Sequence, residues 1–183
     1  MKDSAEFFLK PNCSGIENVI SKTDLFLKSY GIPKSTVYEQ IYILNELVKF
    51  GSEFGNSGYS NNQIKVQINI DRKSIVIEVS KPIDGIELEH LDKLEKTIQF
   101  IKGFQDPFEA FMKIKSKPFF QTCKEDNGLR LAKIAYIGKA IVDFFIDEDN
   151  ILILSAVRYL YKEKIIDRRL SQIENDQVLR QCS

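Results

Sequence analysis

The feature that most restricts the fold of this sequence is a long helical pattern that begins near Ser35 and is apolar on two faces. A second row along it, with one residue per turn, contains Glu46 within an otherwise apolar set. A helix that is apolar on two faces must be enclosed by other elements, so the pattern predicts a central helix on which the chain packs. The first face is formed by Val37, Ile41, Leu44, Val48 and Gly51, and the second by Tyr42, Glu46, Phe50 and Phe54.

The composition fits one domain with no strong overall charge. The chain has 183 residues, of which 43% are hydrophobic, and this is enough to close one sizeable core. Its 26 basic and 26 acidic residues leave no net charge. A neutral chain attracts neither nucleic acid nor an anionic membrane over long range, so we expect neither as a partner.

The sequence shows no pattern of a membrane-spanning or exported protein. Its longest apolar runs, such as 151–154, are far shorter than a membrane span, and residues 1–4 do not form the apolar core of a signal peptide. Cys13, Cys123 and Cys182 are odd in number and far apart, which favours reduced thiols over a disulfide framework or a zinc site. These features predict a cytoplasmic protein without a bound metal.

The remaining periodicities alternate between strands and helices. Ser14 and Glu17 have the spacing of a capping box at the start of a first helix. Alternating apolar residues predict a β-hairpin over 64–79, which is expected to end at 80–85 because Pro and Gly interrupt a central strand. Two β-rich runs joined by the polar residues 147–150 predict a second hairpin over 141–157. Helices are predicted over 16–30 and 88–101, from Pro107, and over 128–138, with a short strand over 5–9.

The last part of the sequence changes character. Beyond Arg158 it is strongly charged, with apolar residues such as Ile166 and Leu170 in between. We therefore predict one domain over 1–158 and a charged C-terminal helix and tail over 159–183.

Over residues 5–157, the order of elements resembles the histidine-kinase-like ATPase family, known as the GHKL or Bergerat fold, and in particular its small anti-sigma-factor serine kinases. The resemblance implies an α+β fold: a two-layer α/β sandwich with a mixed, mostly antiparallel sheet covered on one face by helices. It also implies a nucleotide site that includes the central helix.

The first family motif is a helix with a catalytic Glu, followed one turn later by an Asn that binds magnesium. Here Glu46, Gly51 and Gly55 match the pattern, so the resemblance implies that Glu46 is the catalytic residue. Phe50 stands at the Asn position, and a phenyl ring has no lone pair for a hard cation. ATP therefore remains a candidate cofactor, while magnesium is not expected. Glu46 also fits an ordinary structural role as the partner of Lys49.

The other two motifs bind adenine and phosphates, and both are partly present. Asp84 and Gly85 are similar to the Asp-Gly pair that holds adenine, although a turn explains them equally well. The phosphate-binding motif resembles the sequence at the start of the helix predicted over 128–138, where Asp126 and Arg130 replace glycines. The implied cofactor-binding residues are Asp84, Gly85, Asn127, Gly128 and Leu129.

These observations predict a regulatory protein-interaction module of bacterial signalling, which has lost catalysis or binds nucleotide weakly and acts on a protein partner. One alternative is an active serine kinase that uses Glu46 with a metal ligand from Asn45 or Glu53. Another is an oligomeric scaffold, such as a homodimer, in which a helix over 159–170 docks on a neighbour.

Overall fold

The fold is built on a five-stranded sheet. The structure is a computed structural model, and it describes residues 3–10, 12–54, 63–83, 88–116 and 127–160. The strand order is β1-β2-β3-β5-β4, and all four pairings are antiparallel. The strands are β1 (Asp3–Leu9), β2 (Ile64–Ile70), β3 (Ser74–Pro82), β4 (Ile141–Ile146) and β5 (Ile151–Tyr159).

Five described helices form the second layer. Inward-facing residues of the strands, such as Val66, Ile68 and Ile77, are fully buried beneath them, while the alternate residues of β2 are half-buried. The predicted α+β fold and its two-layer architecture are therefore confirmed. The helices are α1 (Cys13–Ser29), α2 (Lys34–Glu53), α3 (Leu88–Lys102), α4 (Pro107–Ser116) and α5 (Asn127–Ile137).

Both predicted hairpins are present. In the first, Ile68 pairs with Ile77, and Asp71 closes the turn by accepting hydrogen bonds from the backbone N–H groups of Lys73 and Ser74, both at 2.7 Å. β3 continues to Pro82, beyond the predicted end of the strand. The pairing of β2 with β3 ends at Ser80, so the missing N–H of Pro82 does not interrupt a central part of the sheet.

The start of α1 differs from the prediction. The N-cap is Asn12, whose Oδ1 accepts a hydrogen bond from the backbone N–H of Gly15 at 2.7 Å, and not Ser14. Asn and Ser cap helices about equally well, so the choice depends on where the chain leaves β1.

α2 is the central helix, as the two apolar rows predict. Ile43, Leu44 and Leu47 are almost completely buried within the core. Gly51 lies where α2 approaches the sheet, because a Cβ atom at this position would lie 3.3 Å from Cγ1 of Val79 on β3. The small residue therefore allows close packing of helix and sheet.

The end of the sheet passes the predicted domain boundary. β5 includes Tyr159, and Leu160 is buried and donates its backbone N–H to the carbonyl oxygen of Lys73 at 2.7 Å. These two residues belong to the sheet layer rather than to a terminal helix. Residues 161–183 lie outside the described part, so the C-terminal helix and its docking role remain predictions. No helix among the described residues has the length and hydropathy to cross a membrane.

Candidate functional site

Glu46 is held between two cations on the side of α2 that meets α5. Its Oε2 lies 3.6 Å from Nε of Arg130, the fourth residue of α5, and its Oε1 lies 3.7 Å from Nζ of Lys49. The side chains of Glu46 and Arg130 are only 15% and 17% exposed. The carboxylate that the sequence singles out is therefore part of an ion-pair network between two helices.

Two further polar side chains of α2 lie beside Glu46. The amide nitrogen of Asn45 is 3.5 Å from Oε1 of Glu46, at the limit of a hydrogen bond. Tyr42 lies one turn before Glu46, and its pKa is raised above 10.0 by burial and by the negative charge of Glu46, whereas Arg130 acts to lower it. The phenol therefore stays protonated at neutral pH and can act as a hydrogen-bond donor.

The predicted phosphate-binding residues open α5. Asn127, Gly128 and Leu129 are its first three residues, and all are partly buried. Oδ1 of Asn127 is buried and has no hydrogen-bond partner among the residues that the structure describes. Arg130 follows directly and connects this helix start to Glu46, so the structure brings parts of two predicted motifs together.

The expected metal-ligand position is part of the core. Phe50 is 1% exposed, and its ring stacks on that of Phe54 with centroids 5.5 Å apart. Phe54 in turn contacts the ring of His90 edge-on, at 6.3 Å, and its carbonyl oxygen accepts a hydrogen bond from Nζ of Lys81. An aromatic cluster, and not an oxygen ligand, thus follows Glu46 along this side of α2.

The predicted adenine-binding residues Asp84 and Gly85 lie outside the described residues, so their role remains a prediction. In the part that is described, no group of three or more His, Cys, Asp or Glu residues is arranged to hold a metal ion.

Sequence reasoning missed a second buried ion pair, next to the end of α5. Oε2 of Glu39 lies 2.8 Å from Nη2 of Arg158, and its Oε1 lies 2.8 Å from Nζ of Lys139. Nη1 of Arg158 also donates to the carbonyl oxygen of Gly138 at 3.2 Å. These residues are far apart in the sequence, and no local pattern predicts that they meet.

Comparison with known proteins finds a similar fold. A chain in the crystal structure of the SiaB-SiaC complex from Pseudomonas aeruginosa matches with a TM-score of 0.61 and 15% sequence identity. The match covers 84% of this chain and 88% of that chain. At this identity the likeness shows a shared fold alone. No protein-family model and no curated protein sequence matches the chain.

Proposed function

We propose that this chain is a regulatory protein-interaction module of bacterial signalling, related to the histidine-kinase-like ATPases but without their magnesium-dependent catalysis. The fold that it shares with a chain from a bacterial two-protein complex supports a role in binding another protein. The observation that carries the proposal is the burial of Phe50, at the position where the family places its metal ligand.

The chemistry of magnesium explains why the residue at position 50 matters. Mg²⁺ requires oxygen ligands in near-octahedral geometry at about 2.0–2.1 Å. The Phe50 ring offers no such atom, and its stacking on Phe54 keeps it within the core. A rearrangement that exposed Phe50 for any ligand would forfeit roughly 1.5–3 kcal/mol of hydrophobic stabilisation.

The surroundings of Glu46 also support a role without catalysis. A general base must lie within hydrogen-bond reach of the proton that it removes. Here Arg130 and Lys49 already neutralise the two oxygens of Glu46. A substrate hydroxyl would have to approach a carboxylate that already contacts two cations, and in this arrangement Glu46 acts as a link between α2 and α5.

The proposal is tested by calorimetric titration of the full chain with ATP, with and without magnesium. We expect weak binding or none, with no strengthening by magnesium, and no transfer of labelled γ-phosphate to the chain or to a bound protein. Glu46→Gln is the matched control, because it removes the charge and keeps the shape. Magnesium-dependent binding together with phosphate transfer that Glu46→Gln abolishes would overturn the proposal.

A second candidate is an active ATP-dependent serine kinase, and one observation favours it. The amide nitrogen of Asn45 lies 3.5 Å from Oε1 of Glu46, and the oxygen of the same amide could serve as a metal ligand, although Asn45 is not one turn further on. In this case Asn45→Ala and Glu46→Ala should each remove phosphate transfer. Unchanged turnover in both variants would exclude this mechanism.

A further inference from the structure

An aromatic cluster on α4 and α5 is only partly covered. The rings of Phe108 and Phe111 contact that of Tyr136, with centroids 5.1 and 5.6 Å apart. Met112 follows Phe108 by one helical turn and so lies on the same side of α4. Phe108, Met112 and Tyr136 are 42%, 45% and 41% exposed. We call these four residues the α4–α5 patch.

Positive charge flanks the α4–α5 patch. Lys115 places Nζ 5.9 Å from the ring centroid of Phe111, and Lys133 lies one turn before Tyr136 on α5. Glu109 is the only acidic residue within α4 and α5, both of which the structure describes completely. The two helices are thus basic in a chain whose charges balance overall.

We propose that the α4–α5 patch binds a partner protein through a segment that carries apolar side chains flanked by acidic residues. The inference rests on the proposed function, since it names the surface that such an interaction module would use. Aromatic and methionine side chains are enriched where protein partners make contact, and Met adapts to different apolar shapes. Acidic residues at the edge of the contact would be attracted by the positive charge of Lys115 and Lys133, and this attraction would fix the orientation of the partner.

A second copy of the chain fits this surface less well than a different protein. In a two-fold symmetric contact the same patch faces itself, so the lysines of one copy would approach those of the other. Like charges across an interface oppose binding. A single-stranded nucleic acid could stack a base on Phe108, but it offers no apolar side chain to Met112, and the balanced charge of the chain does not attract it over long range.

Met112 can be observed directly by NMR, because the chain has only two methionines, Met1 and Met112. The full chain, labelled at the methionine methyl groups, is titrated by NMR with a synthetic helical peptide that has leucines on one face and glutamates on the other. We expect a saturable shift of the Met112 methyl signal, assigned with the variant Met112→Leu. A peptide with lysines in place of glutamates should bind at least about tenfold more weakly.

Two variants locate the binding. Met112→Glu should weaken binding of the acidic peptide by at least about tenfold, because it places a negative charge in the centre of the patch, which repels the glutamates of the peptide. Leu25→Glu is the matched control, since Leu25 is an exposed apolar residue on α1, at 68%, and its replacement should leave binding unchanged. Thermal unfolding confirms that both variants are folded.

Several results would overturn the assignment. Equal binding of the acidic and basic peptides would show that charge does not select the partner. Binding that Met112→Glu leaves unchanged would show that the peptide binds elsewhere. A Met112 shift that depends on chain concentration alone, with dimers in sedimentation, would assign the patch to a second copy. A Met112 methyl signal that moves on deletion of residues 161–183 without peptide would assign the patch to the chain's own end. Failure of the proposed function is distinguished from these, because it would appear as magnesium-dependent phosphate transfer, which this titration does not measure.

Discussion

Arg130 of α5 places its Nε 3.6 Å from Oε2 of Glu46 on α2, and both side chains are largely buried. The two residues belong to segments that resemble different nucleotide-binding motifs. Their ion pair joins these segments directly. The pKa of Tyr42, one turn before Glu46, depends on both charges of this pair.

Removing the charge of Glu46 and removing the charge of Arg130 should move the pKa of Tyr42 in opposite directions. Glu46→Gln should lower that pKa, because the negative charge that disfavours the phenolate is lost, whereas Arg130→Met should raise it further. The measurement is an ultraviolet titration of the phenolate, corrected by subtracting the curve of Tyr42→Phe. A shift of the same sign in both variants would contradict the opposed effects of the two charges.

The raised pKa of Tyr42 also predicts a loss of stability in alkali. Above about pH 10 the unfolded chain releases the phenolic proton while the folded chain retains it, so the free energy of unfolding falls as pH rises towards the folded-state pKa. Tyr42→Phe should show a shallower fall over this range and the same slope at neutral pH. Urea unfolding at a series of pH values tests this, and identical alkaline slopes would count against it.

The parts of the fold that sequence predicted are those with a local periodicity. Two apolar rows identified α2 as the central helix, because a helix with buried faces repeats its pattern within a few residues. Alternation identified the first hairpin, and β-rich runs around a polar turn identified the second. The start of α1 was misplaced because Asn12 and Ser14 are both good caps. A Cβ at Gly15 would clash with the carbonyl oxygen of Lys10, so the tight exit from β1 depends on that glycine.

The candidate site could be predicted only in part, for the same physical reason. Glu46 stood out as a charge in an apolar row, but its partner Arg130 lies on another helix, and no spacing rule connects them. Glu39 and Arg158 likewise meet only after β5 has joined the sheet. Contacts between distant residues depend on the tertiary packing, which local pattern does not encode.

Gln40 offers a test of buried polarity on α2. Its side chain is completely buried, and neither its amide nitrogen nor its amide oxygen has a hydrogen-bond partner within the described ranges. Gln40→Met, which keeps the shape, should therefore raise the free energy of unfolding by about 1 kcal/mol or more. The exposed residue Gln99 provides the control, and Gln99→Met should change stability by less than about 0.5 kcal/mol. A destabilised Gln40→Met would mean that the amide is satisfied in solution.

The pair of Glu39 and Arg158 should contribute more than a surface ion pair. Arg158 is 7% exposed and Glu39 is 18% exposed, so water screens their attraction weakly. A double-mutant cycle with Glu39→Gln and Arg158→Met should give a coupling free energy of about 1–3 kcal/mol. The exposed pair of Asp24 and Lys28 on α1 is the control, with a coupling of about 0.3–0.5 kcal/mol. Equal couplings would show that burial does not strengthen the inner pair.

Phe50 is the residue on which the proposed function depends, and its role as a core side chain can be measured directly. Phe50→Ala should lower the free energy of unfolding by about 3–5 kcal/mol, because it leaves a cavity beneath α2 and removes the stacking on Phe54. Phe8, which is 58% exposed on β1, is the control, and Phe8→Ala should cost less than about 0.5 kcal/mol. Both values come from urea unfolding followed by circular dichroism. If the two variants were equally stable, Phe50 would not be locked in the core, and the position beside Glu46 would again be open to a ligand.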